Sequence, residues 1–161
     1  MCISLGVLHH TKDCHLAIEK LTRFVRPRGY IYLGLYHLNG RRPMLNMLQG
    51  FNRWYGEEYA FNLYKSMNEA SSQDDHAYSW FRDQVIHPHE TQHTFAEIAD
   101  LLSNLGFSIK STSINNYKSP VPSNPSSVEL EHKFELYSYE KNVNELSFLP
   151  GYFTICARKK T

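Results

Sequence analysis

The chain has 161 residues, a formal net charge of +1, 42% hydrophobic and 20% charged content, which suits one soluble domain with a real core. So balanced a charge gives no field that favours nucleic acid or an anionic membrane surface. No apolar run approaches the ~20 residues of a membrane span, the start lacks the charge and apolar length of a signal peptide, and a cytoplasmic location is expected. Three cysteines, Cys2, Cys14 and Cys156, form no C-x-x-C pair and read as free thiols. Aromatic content is high, and four of the nine histidines fall in two short stretches, His9-His10 and His87/His89.

In chain order, Met1 to Val7 is a near-continuous apolar run broken only by Ser4 and Gly6. It predicts a strand covered by helices on both faces, the habit of parallel sheets. Ligands of open α/β sheets lie beyond the carboxyl ends of the strands, so His9 and His10 stand where a ligand would. Thr11 or Asp13 then caps a helix bearing Leu16, Ala17, Leu21, Phe24 and Val25. Pro27 ends it, Arg26 to Gly29 turns, and Tyr30 to Tyr36 is a second strand. Together these make one right-handed βαβ unit.

Asn39 to Pro43 reads as a turn, with Pro43 as a first helical residue. The pair Arg41-Arg42, like Lys159-Lys160, reads as a solvated end. Met44, Met47, Leu48, Phe51, Trp54 and Tyr55 mark a helical face, Gly56 breaks it, and Tyr59, Leu63 and Met67 continue in a second helix. Two readings stand for these rings. They pack on the sheet, or Phe51, Trp54, Tyr55 and Tyr59 line a substrate lid within a helical, aromatic insertion over 38–93. Ser71 to Asp75 is a polar loop, and Tyr78, Trp80 and Phe81 suggest a packed segment after it. Thr94 and Glu97 form a T-x-x-E capping box ahead of a stripe of Ile98, Leu101, Leu102 and Leu105, with Gly106 as the stop. Phe107 to Ile114 is a strand, Lys118 to Ser127 a Pro/Ser-rich loop, Val128 to Leu149 ambiguous, and Gly151 to Ala157 a last strand. Neither an internal repeat nor a second domain is evident, so residues 1–161 read as one domain.

His87, His89, Glu90 and His93 invite a metal hypothesis, since imidazole and carboxylate ligate zinc. They precede the Thr94 cap and so lie off the regular helix. Positioning the helix start or lining a substrate mouth is the preferred role, particularly for His93, and no metal is expected. Tyr36 and His37, at the end of the second strand, share the rim with His9 and His10 and are candidates for substrate contact, as is Trp54.

The run Ser4-Leu-Gly-Val-Leu-His-His-Thr11, followed by Leu21-Thr-Arg-Phe-Val-Arg-Pro-Arg-Gly-Tyr30 and the strand to Tyr36, resembles the second half of class I S-adenosylmethionine-dependent methyltransferases. That family follows its fourth strand with a leucine-histidine motif, a helix, a basic-Pro-Gly-Gly turn and a fifth strand. Arg28 stands where the first glycine of the turn is usual. Thr94 to Phe107 is similar to the helix before the family's sixth strand, and Gly151 to Arg158 to its seventh. The resemblance implies an α/β fold, a partial Rossmann-like sheet of strands four to seven with flanking helices, in the order fourth, fifth, seventh, sixth, the last strand antiparallel.

The resemblance also implies S-adenosylmethionine as cofactor and a small-molecule acceptor. Gly6 and Leu8 would sit on the cofactor side, with His9 and His10 as catalytic bases. The family binds its cofactor mainly through three earlier strands and a Gly-rich turn, whereas none of the 8 glycines here forms G-x-G. Cofactor binding by this chain alone is therefore expected to be weak or absent. The alternative expectation is a non-catalytic relative that assembles through the bare edge of its first strand, with a second copy or with a separate amino-terminal half. Nucleic acid and membrane partners are not expected.

Overall fold

The computed structural model describes residues 1–68, 74–87, 89–122 and 126–161. Residues 71–73 of the loop expected over 71–75, Pro88, and 123–125 of the Pro/Ser-rich loop lie outside the described residues, whereas Asp74 and Asp75 begin a helix rather than ending that loop. The described strands are β1 (Cys2–Leu5), β2 (Tyr30–Tyr36), β3 (Phe107–Thr112) and β4 (Tyr152–Lys159), in the order β1-β2-β4-β3. β1 and β2 are parallel, and β4 runs antiparallel to both its neighbours, β2 and β3. That order and the reversed last strand are those the resemblance implied.

β1 departs from its expected cover. It pairs only with β2 among the described residues, and Ile3, Leu5 and Val7 face solvent, Ile3 at 54% exposure. Its apolar run reflects one packed face and one open face, not two packed faces. β2 is the buried centre, with Ile31, Leu33 and Leu35 almost wholly enclosed. They join Ile18, Phe95, Ile98, Leu102, Phe107, Phe153 and Ile155 in one core.

Helix α1 (Cys14–Thr22) is capped by Asp13, whose carboxylate accepts from the Leu16 amide at 2.9 Å. In the turn that follows, Arg28 adopts φ +61°, the left-handed conformation that glycine enters most readily, at the position where the resemblance leads one to expect glycine. Lys159 is not a solvated end: its Nζ donates to the carbonyls of Thr22 at 3.1 Å and Val25 at 2.9 Å, tying the end of β4 to the end of α1.

Helix α2 (Leu38–Tyr55) begins earlier than expected, and the anticipated turn at 39–43 is helical. The imidazole of His37 caps it, Nδ1 accepting from the Gly40 amide at 3.0 Å, and Pro43 lies inside the helix rather than at its first position. The aromatic rings do not pack on the sheet. Trp54 is 79% exposed, and Tyr55 and Tyr59 also face outward. Met44, Leu45 and Leu48 instead meet Ala60, Tyr64 and Met67 of α3 (Glu57–Met67), with Phe81 and Val85 from α4 (Asp74–Phe81) and the π turn Arg82–Ile86, in a second core.

Helix α5 (Phe95–Asn104) carries both halves of the expected capping box. The ambiguous segment is α6 (Ser126–Tyr139), continued by a π turn over Glu140–Asn144. It lacks an apolar stripe because its buried side is polar: Ser127, Glu131 and Ser138 are enclosed, while Val128, Leu136 and Tyr137 are exposed. Glu131 accepts from the Ala96 amide at 3.1 Å, and Ser138 donates to the carbonyl of Gly40. The chain entering β4 presses on α2 so closely that a Cβ on Gly151, at φ +66°, would lie 2.4 Å from the Arg41 amide nitrogen. Only glycine meets both demands there.

Candidate functional site

At the carboxyl end of β1, Gly6 turns with φ +71° and donates to the Gly34 carbonyl at 3.2 Å. A 3-10 turn, Leu8–His10, follows, closed by the Thr11 amide and hydroxyl on the Leu8 carbonyl. The segment after residue 88 is laid across these strand ends by backbone bonds. Thr91 N–H donates to His9 O at 2.8 Å, His93 N–H to Tyr36 O at 3.0 Å, and Leu38 N–H to His93 O at 3.0 Å.

Under this strap lies Arg41, fully buried. Its Nε and Nη2 each reach a carboxylate oxygen of Glu90 at 2.6 Å. Nη2 also donates to the Gln84 carbonyl at 2.6 Å, and Nη1 to Pro150 O at 2.8 Å and Gln84 Oε1 at 3.3 Å. The guanidinium carbon stacks 3.4 Å from the centroid of Tyr36. This corrects the reading of Arg41 as a solvated residue. The signal was available: positions 41, 44, 45 and 48 have i, i+3, i+4, i+7 spacing, so Arg41 belongs to the buried stripe of α2.

His9 is also fully buried, its ring 4.0 Å from that of Tyr36 and 4.3 Å from that of His10. Neither ring nitrogen has a hydrogen-bond partner among the described residues. Burial, reinforced by the nearby charges of His10 and Arg41, holds its pKa down to about 3. His9 is thus a neutral imidazole sealed behind His10. Burial likewise raises the Tyr36 hydroxyl above its ordinary range, although Arg41 opposes it.

Two clefts open on the outer side of the strap. One, of about 400 Å³, is lined by His10, Thr11, Lys12, His89, Glu90 and Thr91. The other, of about 350 Å³, is lined by residues that include Arg42, Gln49, His87, Glu90 and Gln92. Glu90 borders both, and the rings of His10 and His87 stand 4.3 Å apart between them.

No protein-family model matches the sequence, and no curated protein sequence matches it. Solved structures do match in fold. PKMT2 from Rickettsia typhi aligns over 99% of this chain and 36% of its own, with a TM-score of 0.59 and 11% identity. The same protein in complex with AdoHcy gives the same values. The fold is therefore methyltransferase-like, and the chain spans about a third of the length of those structures.

Of the residues singled out from sequence, His10 borders a cleft and His9 stands behind it, lining neither. Leu8 packs its side chain on the sheet core, whereas Gly6 is open, with nothing within 4 Å of where a Cβ would stand. Tyr36, His37, Trp54 and His93 line neither cleft. Tyr36 is the platform under Arg41, His37 caps α2, and Trp54 sits near the far end of that helix in solvent. His93 bridges to the end of β2 and turns its ring to Glu97 at 3.1 Å. The suspected His87, His89, Glu90, His93 metal set is not assembled, because Arg41 occupies the Glu90 carboxylate and the His93 ring points elsewhere. Lys12, Thr91 and Gln92, which sequence reasoning passed over, are cleft residues.

Arg41→Met strands the Glu90 carboxylate in a buried site and is expected to lower unfolding free energy by about 3–5 kcal/mol. Arg41→Met/Glu90→Gln should recover part of that loss in urea melts; equal losses would mean that the stranded carboxylate is not what the substitution costs. For His9 the native pKa lies below the unfolded value of about 6.5, so the unfolded chain binds more protons and stability falls as pH drops from about 6.5 toward about 3. Between about pH 7 and about pH 5 this one group should cost about 2 kcal/mol, and His9→Gln should flatten the decline by that amount in paired urea melts.

Proposed function

We propose that this chain forms the portion of an S-adenosylmethionine-dependent methyltransferase that carries one wall of the cofactor site and the acceptor cleft, with a small molecule as acceptor. The observation that carries the reading is the β1-β2-β4-β3 sheet with its reversed β4, a fold shared with a protein solved in complex with AdoHcy, the product of methyl donation. We read the four strands as the fourth to seventh of a seven-stranded sheet.

Gly6 suits the cofactor side, because its open Cβ position lets a ligand approach the backbone closely. Leu8 would act behind it by fixing the turn. S-adenosylmethionine supplies a sulfonium-bound methyl group, transferred in line to a nucleophile. The protein then aligns the partners, excludes water and removes a proton from the acceptor. His10 is the proposed base: its Nδ1 lies 3.3 Å from the His89 carbonyl, and the tautomer that donates there leaves a lone pair on Nε2. Glu90 is unsuited, since Arg41 binds both its oxygens. His9, neutral and enclosed, backs the His10 ring, while Lys12, His87, His89 and Thr91 would contact the acceptor. Helices α2 to α4, with Trp54 outermost, would form a separate wall over 38–93. Isothermal titration of the chain with S-adenosylmethionine and AdoHcy should show weak or no binding. Micromolar affinity would mean that the wall described here suffices by itself.

A second reading is favoured by the open β1 edge and its exposed Ile3, Leu5 and Val7: a non-catalytic relative that assembles by strand pairing. Light scattering at high concentration should then give a dimer or larger species, which Ile3→Lys reduces to monomer; a wild-type monomer would remove this reading.

A further inference from the structure

We propose that His15, His93 and Glu97 form a binding site for one divalent transition-metal ion of the zinc type, at the junction of α1 and α5 and apart from both clefts. His15 is the second residue of α1, Glu97 the third of α5, and His93 immediately precedes the α5 cap. His15 Nε2 lies 2.5 Å and His93 Nδ1 3.1 Å from the same oxygen, Glu97 Oε1. One ligand atom from each residue falls within 4.8 Å of the other two. Metal–ligand bonds of about 2.0–2.2 Å in tetrahedral geometry place ligand atoms about 3.3–3.5 Å apart, so small ring rotations complete the triangle. Two imidazoles and one carboxylate suit zinc and its neighbours rather than magnesium or calcium, which take oxygen donors.

The ligands are held before any ion arrives. Glu97 is fixed by the capping box, its Oε2 accepting from the Thr94 amide at 3.3 Å and its own amide donating to Thr94 Oγ1 at 3.1 Å. His93 is nearly enclosed, with backbone bonds on both sides to the end of β2 and the start of α2. Its Nε2 lies 2.9 Å from Thr91 Oγ1, the outer-shell contact that metal-bound histidines use to fix their tautomer.

Two ring nitrogens from different segments therefore converge on one carboxylate oxygen, the arrangement a single ion could bridge. The half-exposed His15 and Glu97 leave room for entry and for a bound water as fourth ligand. The ion would clamp α1, the strap and α5 together.

Chelator-stripped protein titrated calorimetrically with zinc chloride, and with cobalt(II) read by its visible absorption, tests this. One ion per chain is expected, with His15→Ala and Glu97→Gln each weakening binding about tenfold or more. Gln preserves the capping box, so Glu97→Gln remains informative should His15→Ala misfold. His87→Ala should leave affinity unchanged. No stoichiometric binding would mean that hydrogen bonds alone hold the three side chains together and would overturn the proposal. So would binding that His87→Ala removes and Glu97→Gln spares.

Discussion

A guanidinium sealed from water ties the parts of this molecule together. Arg41 has five N–H donors, and each has an acceptor on Glu90, Gln84 or Pro150. That full accounting makes its burial tolerable, because a buried charge is costly unless paired and its hydrogen bonds satisfied. The acceptors come from the π turn after α4, the strap and the approach to β4, and the ring beneath comes from β2. One side chain therefore sets where four separate segments meet. The close approach at Gly151 has the same origin, since Pro150 must present its carbonyl to Arg41.

The placement of the clefts follows from this junction. The strap carrying Glu90 crosses the carboxyl ends of β1 and β2, so the space beyond the strands divides in two around Glu90 and the His10–His87 ring pair. His9 and Tyr36 are driven inward under the strap, while His10 stays at the rim. Two adjacent histidines thereby acquire different chemistry: one has its pKa held down to about 3 and never meets solvent, and the other borders a cleft.

The helical segment after β2 has a logic of its own. α2 turns Met44, Leu45 and Leu48 toward α3 and the π turn rather than toward the sheet, and its outer rings remain in solvent. α6 then covers the start of α2 through polar groups. Asn142 binds the Ser138 carbonyl and both the amide and carbonyl of Leu149, Ser138 reaches the Gly40 carbonyl, and Glu131 approaches His37 Nε2 at 3.6 Å. The Phe134 ring of α6 also packs on Gly40 and His37, but the fully enclosed side chains of α6 are polar, and so the helix leaves little trace in hydrophobic periodicity.

By itself the sequence determined the features that depend on near neighbours. The bounds of β2 follow from a run of β-formers between a Pro-Gly turn and a histidine. The start of α5 follows from Thr94 and Glu97 three residues apart, and the strap's irregular backbone from its place before that cap. The strand order was legible through the resemblance carried by Leu8 to Thr11 and the Arg-Pro-Arg-Gly turn. Tertiary structure alone decided which charges are buried and which side chains converge. Arg41 is buried because Glu90, 49 residues away, arrives to neutralise it; His15 and His93 share one carboxylate because the first turn of α1 meets the start of α5. Local rules describe a residue's own turn or strand, whereas the cost of burying a charge depends on a partner that the chain supplies only after it has folded.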